Sequence, residues 1–238
     1  MKNTTRLIGI DIFRGWAIVL MVLFHLSYDL EHFNYIDFHI QSNSFFIWFR
    51  FLIVSMFLFT VGMSLKLTHQ QGINYKSLKK RALLLSIASL FVSIGSYMVF
   101  PNTWIYFGVL HFVLFVSFLI LPFLNYPKIA LFTALITFIA FQLKIIHMHW
   151  LFELLVIPLH LPPTLTEDVV RLFPWISFVL LGTATVSLQW HKKLFNRNFF
   201  NKKSKKNGFF IFLGRHSLLI YLIHQPIIFG FFFLIDLF

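Results

Sequence analysis

Long apolar runs separated by short polar connections dominate the chain. A membrane-spanning helix needs about 20 consecutive, mostly apolar residues, and the pattern predicts about seven such helices. They cover Leu7–Leu30, Ser44–Leu65, Ala82–Phe100, Trp104–Leu121, Lys128–Leu143, Val169–Leu188 and Phe209–Ile235. The runs are solidly apolar, whereas the strands of a spanning barrel alternate between apolar and polar residues. The pattern therefore predicts an all-α, polytopic membrane helix bundle, with residues 1–238 forming a single domain.

The basic residues predict how this bundle is oriented. Positive residues stay on the cytoplasmic side of a membrane, and here they concentrate in the N-terminal segment and in the second, fourth and sixth connections. They are Lys2, Arg6, Lys66, Lys76, Lys79, Lys80, Arg81, Lys128, Lys192, Lys193, Arg197, Lys202, Lys203, Lys205 and Lys206, with Arg215 near the start of the last predicted helix. We therefore expect a cytoplasmic N-terminus, an external C-terminus and a multi-pass protein of the plasma membrane. The first helix is too long and too charged for a cleavable signal peptide, so we expect it to be a retained anchor.

Composition narrows the classes of function. Of the 238 residues, 58% are apolar and 12% are charged, and 20 basic against 8 acidic residues give a net charge of +12. A basic nucleic-acid-binding domain is rich in charge, so we expect a lipid bilayer as partner and no nucleic acid. The chain has no cysteine, which excludes a thiol nucleophile and a thiolate metal site. His147 and His149 have no third ligand at a convincing spacing, so we expect no metal.

The first predicted helix carries a stripe of ionisable residues. A charged side chain near the bilayer centre costs about 2.5–3.5 kcal/mol, so such residues usually face a bundle interior. Asp11 and Arg14 are i, i+3 neighbours that can pair, and His25 and Asp29 are i, i+4 neighbours on the same stripe. Asp29 could therefore hold the His25 imidazole in one tautomer. The alternatives are an ion pair that fixes helix packing and a histidine that is merely interfacial.

The last predicted helix carries a second polar stripe. Ser217, Tyr221 and His224 fall within about 60° of one another on a helix. Pro226 removes a backbone donor and predicts a kink just beyond His224. A hydroxyl, a phenol and an imidazole on one face suit proton handling or hydrogen bonds to a substrate. The alternative is hydrogen bonding between helices, worth about 0.6 kcal/mol per bond.

Three further polar residues lie within the predicted helices. His111 taken alone is weak evidence for a functional site. Arg50 and Arg171 are each expected to reach the outer lipid headgroups. The connection Lys144–Asp168 is long, semi-apolar and external, and it either covers a site or acts as a tether.

Four blocks of sequence carry a resemblance to a known family. They read RLIGIDIFRGWAIVLMVLFHLSYDL at Arg6–Leu30, IYFGVLHF at Ile105–Phe112, DVVRLFPWISFVLLG at Asp168–Gly182 and LGRHSLLIYLIHQP at Leu213–Pro226. The chain resembles the small bacterial proteins of the heparan-alpha-glucosaminide N-acetyltransferase catalytic-domain family, within the wider transmembrane acyltransferases. The resemblance implies a helix bundle that uses cytosolic acetyl-CoA to acetylate a sugar on the other side of the membrane.

The resemblance also implies roles for particular residues. The family pattern D-x-x-R-G…H falls on Asp11, Arg14, Gly15 and His25, and G-x-x-S-x-x-x-Y-x-x-H falls on Gly214, Ser217, Tyr221 and His224. In the longer lysosomal members a histidine further along is implicated in catalysis. His32 and His39 are its possible counterparts here, so the identity of the base stays open.

The leading hypothesis is an integral-membrane acyltransferase that transfers an acetyl group from acetyl-CoA to a sugar amine or hydroxyl. His25, oriented by Asp29, is the expected general base, and Arg171, Tyr221 or His224 the expected oxyanion stabiliser. The cytoplasmic cations would attract the anionic coenzyme A. The alternatives are a carrier or flippase for a sugar, lipid or acyl group, and a non-catalytic assembly subunit. The acceptor, N- against O-acetylation, the acyl chain length and the oligomeric state stay open.

Overall fold

The computed structural model describes residues 7–146, 168–195 and 205–236, together with positions 154, 156, 158 and 161. Within this part of the chain every regular element is a helix, which confirms the all-α prediction. Most of the connection Lys144–Asp168, including His147 and His149, lies outside the described residues.

Nine α-helices are described, and a short 3₁₀ helix at Leu121–Asn125 follows the fourth. They are α1 (Ile8–His32), α2 (Ser44–Thr68), α3 (Tyr75–Val99), α4 (Val109–Leu119), α5 (Pro127–Gln142), α6 (Trp175–Ser187), α7 (Trp190–Leu194), α8 (Lys205–Arg215) and α9 (Ser217–Asp236).

Four of the described helices, α1, α2, α3 and α9, are long and apolar enough to cross a membrane. Three more, α4, α5 and α6, are apolar but have only 11, 16 and 13 residues. They coincide with the fourth, fifth and sixth predicted spans, of which the sequence pattern made the fourth and sixth longer and gave the fifth the same length. The difference arises at the N-terminal ends, because α4 begins only after Gly108 and α6 only after Pro174, while the apolar run starts earlier. These apolar helices indicate a membrane protein.

The seventh predicted span, Phe209–Ile235, is wrong as a single helix. It contains the end of α8 and most of α9, and the two helices are separated at His216. Hydropathy does not register this break, because the run is apolar on both sides of it. The helix α8 differs from α9 in its close contact with α1. Glycines make this contact possible, because they let the two backbones approach each other.

The described part of the chain forms two compact units, and the single domain remains a prediction from the sequence. The first unit comprises Met1–Thr60 and His191–Phe238, and in it α1 packs against α8 and α9. Its core is centred on Ile18, Met21 and Ile53.

The second unit comprises Val61–Trp190, and in it α3 packs against α4 and α5 against α6. Lys66 Nζ donates to the Leu124 carbonyl at 2.6 Å. The hydroxyls of Thr137 and Ser177 lie 2.8 Å apart between α5 and α6. Interhelical polar contacts therefore supplement apolar packing in this unit.

Candidate active site

Two histidines from different helices meet in the first unit. His25 of α1 and His224 of α9 have ring centroids 4.7 Å apart and ring planes inclined at 65°. His224 is buried, and its Nδ1 lies 2.7 Å from the carbonyl oxygen of Tyr221. That nitrogen must donate to a carbonyl, so in the neutral ring Nε2 carries the free lone pair. This Nε2 is buried and has no hydrogen-bond partner among the described residues, nor does the His25 ring.

A buried carboxylate lies one turn beyond His25 on α1. Asp29 is fully buried, and its Oδ1 accepts a hydrogen bond of 2.8 Å from Nε2 of Gln225 on α9. Within the described part of the chain, Asp29 Oδ2 and Gln225 Oε1 are buried without a partner. The sequence predicted that Asp29 would bind His25, whereas the structure shows its hydrogen bond crossing to α9. The only sequence signal for Gln225 is its position directly after His224.

A second polar cluster lies near the start of α1. Asp11 is buried, with Oδ1 at 3.9 Å from Arg14 Nη1 and Oδ2 at 3.6 Å from Nε of Arg215. Arg14 Nη1 also donates to the carbonyl oxygen of Gly214 at 3.3 Å. The predicted Asp11–Arg14 pair is thus confirmed. Arg215 is the partner that sequence reasoning missed, because it had been counted among the charges that set topology.

Glycines bring α8 and α1 close enough for this cluster to form. A Cβ on Gly214 would overlap the carbonyl oxygen of Asp11, and a Cβ on Gly15 would overlap that of Phe210. The Trp16 and Phe210 rings stack nearby at 4.1 Å. The family pattern places both glycines, and the structure gives the steric reason for them.

Other predicted residues of the first unit are more exposed. His32, His39 and Arg50 are exposed, and His39 Nδ1 lies 2.9 Å from a carboxylate oxygen of Asp37. Ser217 is partly buried at the first position of α9. Of the two alternative bases, His32 lies close to Asp29 but is exposed, and His39 lies exposed in the loop after α1, so neither is buried as Asp29 and His224 are.

The second unit contains the remaining two predicted residues. His111 Nδ1 accepts from the Gly108 N–H at 3.3 Å, and its Nε2 lies 3.1 Å from the Ser93 hydroxyl. The Ser93 hydroxyl donates to the carbonyl oxygen of Ile105 at 2.8 Å. Both ring nitrogens of His111 are therefore engaged within the unit, which is the pattern of a structural histidine. Arg171 is exposed just before α6.

The first unit thus has a polar cluster near each end of α1, about 17 Å apart between Arg14 and His25 along the helix axis. The cluster near Asp11 is rich in guanidinium groups and suits an anion. The cluster near His25 offers an imidazole pair and unpartnered acceptor atoms, which suits accepting a proton. The described residues contain no group of three His, Cys, Asp or Glu that could hold a metal.

Comparison with known proteins identifies the family. The family model described as heparan-alpha-glucosaminide N-acetyltransferase, catalytic, matches residues 6–226, a range that includes both polar clusters. No curated protein and no solved structure matches the chain. The match covers most of the 238 residues and confirms the resemblance seen in the four sequence blocks. The chain belongs to the heparan-alpha-glucosaminide N-acetyltransferase catalytic family, and membership implies a membrane acetyltransferase type of function.

Proposed function

We propose that this protein transfers an acetyl group from cytosolic acetyl-CoA to a sugar amine or hydroxyl on the extracytoplasmic side of the plasma membrane. Family membership supports the reaction type. The observation that carries the proposal is the His25–His224 pair, in which Nδ1 of His224 donates to the Tyr221 carbonyl oxygen and its buried Nε2 has no partner among the described residues. Imidazoles without hydrogen-bond partners inside a membrane protein are costly unless a substrate uses them.

His25 acts as the general base in this proposal. It takes the proton of the acceptor nitrogen or oxygen as that atom attacks the thioester carbonyl carbon. The tetrahedral intermediate then collapses, the carbon–sulfur bond breaks, and the proton passes from the imidazolium to the departing thiolate. The buried carboxylate of Asp29, one turn away on α1, favours the positively charged imidazolium electrostatically. Tyr221, one turn before His224 on α9, offers a hydroxyl donor to the oxyanion.

The guanidinium cluster near the start of α1 is proposed to attract the donor. Asp11 neutralises only one of the two positive charges of Arg14 and Arg215, so the cluster keeps a net positive charge. Coenzyme A carries several negative charges on its phosphates. A positively charged entrance raises the local concentration of such a ligand. The positive-inside rule predicts that the basic residues are cytoplasmic. The start of α1 is therefore where a cytosolic donor would arrive.

Reconstitution tests the proposal against its rivals. The purified protein is placed in proteoliposomes with labelled acetyl-CoA on one side and amino sugars or neutral sugars on the other. We expect label on the sugar, and none in liposomes without protein. Sugar uptake without acetylation would favour a carrier or flippase. If no sugar amine or hydroxyl becomes labelled, the proposed reaction is wrong.

A further inference from the structure

A buried histidine joins the end of α2 to the start of α3. His69 directly follows the last residue of α2 and is only 2% exposed. Its Nδ1 accepts the backbone N–H of Asn74 at 2.9 Å, and Asn74 in turn caps α3 by accepting the N–H of Ser77. A backbone N–H can only donate, so this contact fixes the tautomer of the neutral ring. Nδ1 of His69 is the acceptor, and Nε2 carries the hydrogen.

The Nε2–H of His69 is a donor without an acceptor in the described part of the chain. Burial lowers the pKa of His69, and the nearby positive charges of Arg81 and Lys66 lower it further. The ring is therefore neutral at neutral pH and lies within electrostatic reach of two cations. A buried N–H donor beside two positive charges calls for an acceptor that is an anion.

Both cations are held near the end of α4 and the 3₁₀ helix that follows it. Lys66 is partly buried, and its Nζ donates to the carbonyl oxygen of Leu124 at 2.6 Å. Nε of Arg81 donates to the hydroxyl of the buried Ser117 at 3.2 Å. An ammonium group has three donor hydrogens. The bond to Leu124 is the hydrogen bond that Lys66 makes among the residues described, so its other donors are available to a ligand. We call Lys66, His69 and Arg81 the basic cluster.

The sequence around the basic cluster contains no acid. No Asp or Glu occurs between Asp37 and Glu153. In the described part of the second unit the acid is Asp168, whose Oδ2 accepts from the N–H of Val109 at 3.4 Å. Val109 and Ser117 lie about 12 Å apart along the axis of α4. Asp168 is therefore bound near the opposite end of α4 from the hydroxyl that contacts the basic cluster.

Orientation in the membrane does not explain why part of this charge is buried. Lys76, Lys79 and Lys80 are exposed in the first turns of α3, and the first turn contains no acid. The positive-inside rule requires such charges on the cytoplasmic side but does not require their burial. The N-terminus of a helix also favours a nearby anion over a cation. A bound anion would therefore stabilise the start of α3 together with Lys66 and His69.

The surroundings of the basic cluster indicate a lipid as the source of the anion. Tyr75 begins α3 and Tyr126 directly precedes α5, and both are exposed. Tyrosine is enriched where a membrane meets water, so these residues place the cluster at the depth of the headgroups. Directly after Arg81, α3 exposes apolar side chains that include Leu83 and Ile87. An acyl chain can lie along this face while its phosphate lies at the level of Arg81.

We propose that the basic cluster binds the phosphate of an anionic phospholipid in the leaflet on the predicted cytoplasmic side. Nε2 of His69 and the ammonium group of Lys66 donate to phosphate oxygens, and Arg81 adds positive charge. A zwitterionic headgroup carries a cation that the same residues repel, so the site prefers phosphatidylglycerol to phosphatidylcholine. Basic sites between helices on this side of a membrane suit anionic headgroups. Binding at this site requires neither acetyl-CoA nor acetyl transfer.

Native mass spectrometry of the full-length protein tests this preference. Phosphatidylglycerol and phosphatidylcholine with the same acyl chains are supplied in equal amounts in a neutral detergent. We expect complexes with one phosphatidylglycerol to outnumber those with one phosphatidylcholine about tenfold, equivalent to 1.4 kcal/mol. Equal retention of the two lipids would overturn the proposal.

Two lysines at the same end of α3 distinguish a site from a diffuse positive surface. Lys66→Gln should remove most of the preference for phosphatidylglycerol. Lys76→Gln is the matched control and should leave the preference unchanged, because Lys76 is exposed and salt screens its charge. If both substitutions had the same effect, the lipid would respond only to overall charge and the site would be refuted.

His69→Asn tests the buried donor while keeping the turn. The Oδ1 of asparagine can still accept the N–H of Asn74, but nothing replaces the Nε2–H. We expect severalfold weaker retention of phosphatidylglycerol with an unchanged midpoint of thermal unfolding in lipid-free detergent. A folded His69→Asn protein that kept the full preference would contradict the assignment.

Soluble competitors distinguish a lipid from other carriers of a phosphate. Glycerol phosphate and acetyl-CoA are added separately, at millimolar concentration, to the complex with phosphatidylglycerol. We expect neither to displace the lipid, because neither has acyl chains that can lie along α3. Displacement by glycerol phosphate would assign the cluster to a soluble phosphate, and displacement by acetyl-CoA would assign it to the acyl donor. Either result would overturn the lipid site.

Discussion

Asp11 lies between two guanidinium groups that reach it from different helices. Arg14 belongs to α1 and is mostly buried, whereas the side chain of Arg215 on α8 is 46% exposed. An ion pair that includes an exposed partner contributes little, because solvent screens it. The removal of a buried charge, by contrast, leaves its hydrogen-bonding neighbours unsatisfied. Substitutions of the buried Asp11 and of the half-exposed Arg215 should therefore differ in their effect on stability.

We expect Asp11→Asn to destabilise the protein by about 1–3 kcal/mol and Arg215→Gln by less than about 1 kcal/mol. The midpoints of thermal unfolding in detergent provide the comparison. If Arg215→Gln lowered the midpoint as much as Asp11→Asn, the half-exposed pair would be stronger than this account allows.

Sequence periodicity predicted which residues of the candidate site are buried better than it predicted which residues they contact. The stripe on α1 placed Asp11, Arg14 and Asp29 where they are buried or mostly buried, because helical spacing alone fixes which positions share a face. Arg215 and Gln225 were not assigned as partners, because those contacts depend on how α8 and α9 pack against α1. Periodicity within one helix does not encode contacts between helices.

At the scale of elements, close glycine contacts explain why the last apolar run forms two helices. α8 meets α1 backbone to backbone at Gly15 and Gly214. Small residues permit such approaches in membranes, where apolar side chains gain little by leaving lipid. Hydropathy located this run but not its break at His216, because hydropathy reports how apolar each residue is and not which helices are in contact.

Substitutions at glycines of the same helix provide a matched test. Gly214→Ala should destabilise the protein by about 1–3 kcal/mol, because its Cβ overlaps the Asp11 carbonyl oxygen. Gly208→Ala, also in α8, meets open space and should be neutral or stabilising by up to about 1 kcal/mol. Unfolding midpoints and the yield of folded protein are the measurements. Equal tolerance of both substitutions would mean that α8 and α1 are not in close contact.

At the scale of the whole molecule, the distribution of charge predicts the orientation in the membrane. The first turns of α3, which follow the connection from α2, are basic, with Lys76, Lys79 and Lys80, whereas the connection after α1 contains the acid Asp37 and no lysine or arginine. The positive-inside rule places the first of these in the cytoplasm. Most of the net charge of +12 then reflects the orientation of the chain in the membrane.

Single cysteines measure this orientation without background, because the natural chain contains none. We expect Ser42→Cys, in the connection after α1, to react with a membrane-impermeant maleimide in intact cells. Gln71→Cys, in the connection after α2, should react only after the membrane is permeabilised. The reverse pattern would invert the topology, and with it the direction of acetyl transfer.

His25 is proposed as the general base of an acetyl transfer, and three histidine variants test this role most directly. The kcat for transfer from acetyl-CoA to an amino sugar is measured in proteoliposomes for His25→Gln, His32→Gln and His39→Gln, with unfolding midpoints confirming that each is folded. Loss of a general base typically costs about 10²–10⁴-fold in rate. We predict that loss for His25→Gln, with wild-type kcat for the two exposed histidines. Wild-type kcat in His25→Gln, or a comparable loss in His32→Gln or His39→Gln alone, would contradict the account.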